Sequence, residues 1–185
     1  MRIVKAALAA TVAATALLAV GAPANAQSSA ASPSPYEQQI QDLLKRPGAE
    51  RIDANTVRLT EGATVTFPAQ NQSAGGASTN ASAPRTSDWF GCAVGNLCMW
   101  ADAEMSGARL DLWRCGTYSL FNYGFPDRMS SYSNNQTGYV ISRFYDGGAE
   151  ILNEGATGYR RNLYYDWAID GSGRVDNRID AVKVC

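Results

Sequence analysis

Asp127 and the pair Ser130, Ser131 flank two large side chains, Arg128 and Met129, in the stretch NYGFPDRMSSYSNNQT at positions 122–137. An acid and two hydroxyls so placed suit three tasks: a calcium loop, a nucleophile, or a β-corner whose hydroxyls hold backbone. The nucleophile fails first. The chain has no histidine, so it has no Ser-His-Asp triad, no Cys-His dyad and no HExxH zinc site. No base is visible for Ser130 or Ser131. The carboxylate pairs Asp102/Glu104 and Glu150/Glu154 are of the types a glycosidase uses, but on short strands and turns they read as solvent-facing charge. No catalytic residue is expected.

The four cysteines carry the next chemistry. Residues 1–26 read as a signal peptide: Arg2 and Lys5, an apolar run from Ala6 to Val20, then Ala24-Asn25-Ala26 for cleavage. The apolar run is too short to span a membrane, so a secreted, extracellular protein with no membrane attachment is expected once the leader is gone. In an oxidising compartment Cys92, Cys98, Cys115 and Cys185 are expected to form two disulfides, with three connectivities open. Cys92–Cys98 and Cys115–Cys185 are preferred, because the second closes a long loop and restricts the unfolded chain most. Zinc is disfavoured by the spacing and the absence of histidine. The formal charge of −1, or −3 without Arg2 and Lys5, gives no electrostatic reason to bind nucleic acid.

These residues need a frame. Sixteen of the eighteen aromatic residues lie between Trp89 and Trp167, which places the main domain at 88–185. Residues 27–68 read as a tail, a short helix with Tyr36, Ile40, Leu43 and Leu44 at helical spacing, and a β-hairpin turning near Glu61-Gly62. That piece is too small to bury its own core and is expected to dock on something. Residues 69–87 read as a flexible linker. Within 88–185, short alternating segments such as ARLDLWRC, GYVISRFYD and RIDAVKVC are separated by glycine turns, and long helical periodicity is missing. The fold class is all-β.

Two halves align. Cys98 to Gln136 runs strand, turn, strand, aromatic loop, then DRMSS; Tyr139 to Cys185 repeats the order and ends in DNRIDA. Two Greek keys of four strands would account for the repeat. The segments LCMWADAEMSGARLDLW, YGFPDRMSSYSNNQ and VDNRIDAVKVC resemble the secreted proteins of peptidase inhibitor family I36, which are similar to a streptomycete metalloproteinase inhibitor and carry a βγ-crystallin-like double Greek key. The resemblance covers about Gly91 to Cys185, and Trp100, Met105 and Gly107 follow the crystallin hairpin pattern with Met105 in place of an aromatic.

The resemblance implies a monomeric inhibitor of extracellular peptidases, with metallopeptidases the class its family suggests, that needs no cofactor. The loops RCGTYSLFNYGF and NEGATGYRRNLYYDW are the candidates for contact, although most of their aromatics are expected in the core. The resemblance also implies calcium (Ca2+) sites built from two Asn/Asp, two variable residues, Ser/Thr and Ser. Asp127, Ser130 and Ser131 match that stretch in the first half, with Pro126 a departure. Asp176 and Asn177 match in the second, where Asp180 keeps an oxygen at the Ser/Thr position and Ala181 is a departure. The alternative function is a non-inhibitory module gripping calcium, cell-wall glycan or another secreted protein.

Overall fold

Apolar and polar residues alternate in Ser106-Gly-Ala-Arg-Leu-Asp-Leu112, and the alternation decides which side faces the core. In the structure, a computed structural model that describes residues 35–59, 62–69 and 89–185, Ala108, Leu110 and Leu112 point inward and are buried. Those residues form β5 (Ser106–Leu112), which pairs with β4 (Leu97–Asp102) in an antiparallel hairpin. Its turn is tight: Glu104 and Met105 take left-handed φ values of 59° and 57°, and Gly107 follows at 79°. A Cβ at Gly107 would collide with the Asp102 carboxylate, so the turn requires glycine there.

The remaining strands interlock. β6 (Gly116–Ser119) leaves the first hairpin for the opposite sheet, and β7 (Ser131–Asn134) returns beside β4. The second half repeats this: β8 (Ile141–Asp146) and β9 (Ala149–Gly155) form a hairpin, β10 (Gly158–Arg160) crosses to lie beside β7, and β11 (Ala181–Val184) returns beside β8. Each half is a Greek key that lends its third strand to the other half's sheet. The chain is therefore all-β, a double Greek-key sandwich preceded by a short helix and a hairpin. Met129, Tyr132, Phe144, Leu163, Ile179 and Val182 fill the shared core.

The segment before the double Greek key joins the same core. Helix α1 (Glu37–Leu44) buries Ile40 and Leu43, and β1 (Glu50–Arg51), β2 (Thr56–Leu59) and β3 (Ala63–Thr66) extend the first sheet along β5, with Val65 opposite Leu110. The first sheet thus has seven strands, in the order β1-β2-β3-β5-β4-β7-β10, and the second has four, β6-β11-β8-β9. Tyr36 stacks on Phe67 with ring centroids 5.1 Å apart. Arg51 hydrogen-bonds the Glu37 carboxylate and holds its pKa down to about 2. The expected leader at 1–26 and residues 70–88, nearly all of the expected linker, lie outside the described residues.

Two disulfides are present, Cys92–Cys98 and Cys115–Cys185. The first holds residues 89–96 over the outer face of β4, which is why Cys98 and Trp100 are buried as well as Leu97 and Met99. The second spans 70 residues and joins the start of β6 to the chain end after β11. Loop-closure entropy makes the two unequal. Replacing both members of Cys115–Cys185 by serine should cost about 4 kcal/mol, against about 2 kcal/mol for Cys92–Cys98, as read from urea unfolding midpoints of the two double variants. Equal losses would show that native packing, not chain restriction, sets their value.

Candidate functional site

The two polar stretches fold into equivalent corners. Asp127 and Asn177 take left-handed φ values of 50° and 55°, a conformation that short polar residues tolerate better than most. Each then donates its N–H across the interface between halves: Asp127 N to Ile179 O at 2.9 Å, and Asn177 N to Met129 O at 3.2 Å. Ser130 N donates to Trp100 O and Asp180 N to Tyr145 O, both at 3.0 Å. The carbonyls of Ser130 and Asp180 accept from Leu163 N and Leu120 N, at 2.9 and 2.8 Å. Those leucines open matching 3-10 turns, Leu120–Tyr123 and Leu163–Tyr165. Asp127 thus corresponds to Asn177, Arg128 to Arg178, Ser130 to Asp180 and Ala101 to Asp146.

The side chains diverge where the backbone agrees. Ser131 pins the first hairpin alone: its Oγ donates to Asp102 O at 2.6 Å and accepts from Met105 N at 3.1 Å. In the second half Asp180 does this work one position earlier, its Oδ2 accepting from Gly147 N at 2.9 Å. Ser130 does not touch the hairpin with its hydroxyl, which instead donates to Asn177 Oδ1 at 3.3 Å. Asn177 Nδ2 in turn donates to Asp176 Oδ2 at 3.1 Å, leaving buried Asp176 Oδ1 without a partner.

Calcium needs six to eight oxygens, several of them carboxylate. The first corner holds an open pocket of 310 Å³ lined by Ala101, Asp102, Ala103, Arg128, Ser130 and Asn177. Asp102 is the one carboxylate in that lining, and the neutral side chains Ser130 and Asn177 already bond each other. In the other corner stands Asp180, whose carboxylate accepts from Gly147 N. There the Arg178 guanidinium pairs with Asp146 at 2.7 Å. Among the described residues no group of three or more His, Cys, Asp or Glu is gathered for a metal ion. The donor set falls short of a calcium cage. Three of the four paired carboxylates are engaged elsewhere: Glu104 with Arg161, Glu150 with Arg143, and Glu154 with Arg160 and the Tyr132 hydroxyl.

A second surface lies in the loop after β10. Leu163 and Ala168 are buried and anchor it, whereas Tyr164, Tyr165, Trp167 and Ile169 are exposed, Trp167 at 63%. Sequence patterning placed most such aromatics inside, and Tyr118, Tyr123, Phe125 and Tyr132 are indeed buried. What holds the exposed rings is Arg174, which no local pattern marked. Its guanidinium lies 4.5 Å from the Trp167 ring and 5.9 Å from Tyr164, and it donates to Tyr165 O at 2.8 Å. A bridge pairs Trp167 with Arg174, and Ile169 N donates to Ile151 O. The turn between them is closed by Asp170, whose carboxyl is held below its usual pKa by the Ser172 hydroxyl and N–H.

The corner bonds rank the two serines. Ser131→Ala removes both hairpin contacts and should cost about 1–3 kcal/mol, while Ser130→Ala should cost about 0.5–1 kcal/mol. Chemical denaturation of the two variants checks the order, and a reversed order would mean that Ser130 carries a role beyond its contact with Asn177.

No protein-family model matches the sequence, and a search of curated proteins finds no match. Among solved structures, the chain is similar to a βγ-crystallin from Ciona intestinalis, 22% identical over 49% of this chain and 100% of that one, with a TM-score of 0.35. The double Greek key stands on its own strand order and on the reciprocal corner bonds.

Proposed function

We propose that this chain is a non-catalytic, exported binding protein whose working surface is the aromatic loop at 161–174, and that its partner is an extracellular peptidase, which it inhibits. One observation carries the reading: Trp167 is stacked on Arg174 yet remains 63% exposed. Tryptophan, tyrosine and arginine are the residues that dominate protein–protein binding energy. A loop already held by a guanidinium, a bridge and an Asp170–Ser172 turn has little left to order on binding, which keeps the entropic cost of association low. Inhibition requires only that such a loop occlude a peptidase, and it uses no titrating side chain. The peptidase as partner comes from the resemblance to family I36; the two disulfides fit an extracellular setting.

A protein partner is favoured over a glycan by ring orientation. Tyr164 and Tyr165 stand edge to face at 87°, a shape that fits a contoured surface better than the flat platform on which sugar rings stack. The 3-10 turn after β6 adds a separate exposed ring, Phe121. In this reading the corner serines and acids hold backbone, and calcium is not required.

The test is a panel of secreted proteases, thermolysin-type enzymes included, titrated with the disulfide-bonded protein. Inhibition at micromolar protein or below is expected for at least one enzyme, with Trp167→Ala and Arg174→Ala each weakening it by about 30-fold or more. A panel without inhibition, together with retention on peptidoglycan that Trp167→Ala abolishes, would replace the peptidase by a glycan.

A further inference from the structure

Arg128 and Arg178 occupy equivalent places in the two corners, and each reaches back to the carbonyl four residues earlier: Arg128 Nη1 to Gly124 O and Arg178 Nη1 to Arg174 O. Beyond that they part. Arg128 otherwise lies over the Phe125 ring. Arg178 spends its whole guanidinium: Nε and Nη2 donate to Asp146 Oδ2 at 2.9 and 2.7 Å, Nη2 also to Ser172 Oγ at 3.0 Å, and Nη1 to Ser172 O at 3.4 Å as well as Arg174 O at 2.9 Å. A guanidinium has five N–H donors in a fixed fork, and all are used here.

The difference traces to one pair of residues. Where the first hairpin has Ala101, the second has Asp146, next to Gly147 whose N–H binds Asp180. The second corner therefore sets Asp146, and beside it Asp180 on the Gly147 N–H, where the resemblance puts a cation, and Arg178, paired with Asp146, is the positive charge found there. We infer that the Arg178 guanidinium is a built-in cation that fills the second corner, and that by gripping Asp146 and Ser172–Arg174 together it positions the aromatic loop. The second part rests on the reading of that loop as the working surface. Arg174, which holds Trp167 and Tyr164, is itself held by its carbonyl from Arg178. The corner so filled has no use for a metal, and the loop's position is independent of the calcium concentration outside the cell.

The experiment compares disulfide-bonded wild type, Arg178→Ala and the double variant R178A/D146A in EDTA and in about 5 mM calcium chloride, a concentration suited to weak extracellular sites. Each is read by thermal melting and by acrylamide quenching of Trp167, taken as the difference from W167F. In EDTA, R178A should melt about 5 °C below wild type with Trp167 more accessible to quencher. Calcium should recover at least half of both changes in R178A, move wild type by less than about 1 °C, and leave R178A/D146A unrescued. Melting of R178A with wild type, an equal calcium response in both, or rescue of the double variant would overturn the inference. Should R178A not fold, the same comparison with Arg178→Gln decides it. None of these readouts uses a peptidase, so failure of the inhibitor reading would leave the cation inference standing, and the reverse.

Discussion

The structure depends on an exchange of backbone hydrogen bonds between two corners. Asp127 and Asn177 each turn the chain through a left-handed step and donate to the carbonyl two residues before the other half's return strand. Neither half satisfies its own corner. The third strand of each key lies in the other's sheet, so neither half closes its own sheet either. A buried unpaired N–H costs about as much as a lost hydrogen bond. Folding one half alone would leave both the corner and a sheet edge unsatisfied, and the two halves are bound to form together.

Given that shared backbone, side chains at the corners were free to differ, and they did. The hairpin pin passed from a serine hydroxyl at Ser131 to a carboxylate at Asp180, with the same result of fixing the turn to the return strand. The first corner kept neutral cross-corner donors and an open pocket; the second gathered acid and an arginine to match it. Without that arginine the Asp146 carboxylate would lose its cation. With it, the corner also reaches the aromatic loop through Ser172 and Arg174, so one guanidinium joins architecture to the candidate binding surface.

Much of this was legible in the sequence where information is local. Alternation marked β5 and β11, glycines marked the hairpins, and the repeat of DRMSS and DNRIDA marked the duplication. Strand exchange was not legible, because no residue in Gly116–Ser119 or Gly158–Arg160 states which sheet it will join; that is decided by the corner bonds. Nor was the exposure of Tyr164, Tyr165 and Trp167. Hydrophobicity argues for burial, and only the position of Arg174, seven residues beyond Trp167 across a glycine-bearing turn, shows that these rings are supported from outside the core. The partner of Ser130 lies 47 residues away in Asn177, a distance no spacing rule addresses.

The segment before the double Greek key answers a problem the key creates. β5 is a seven-residue strand, and without β3 its outer side would present unpaired backbone from Ser106 to Leu112. Exposed strand edges of that length recruit other chains. The β1–β3 extension covers the edge and transfers it outward to β1, which is two residues long, carries only Glu50 and Arg51, and has both exposed. At the far side β10 is three residues long and carries Arg160 engaged with Glu154. Each end of the seven-stranded sheet is thus short and charged. Helix α1 then seals the apolar face that the added strands bring, through Ile40 and Leu43. For a chain that displays aromatic rings on one loop, the sheet edges are where unwanted association would otherwise begin, and the extension covers the longer of them.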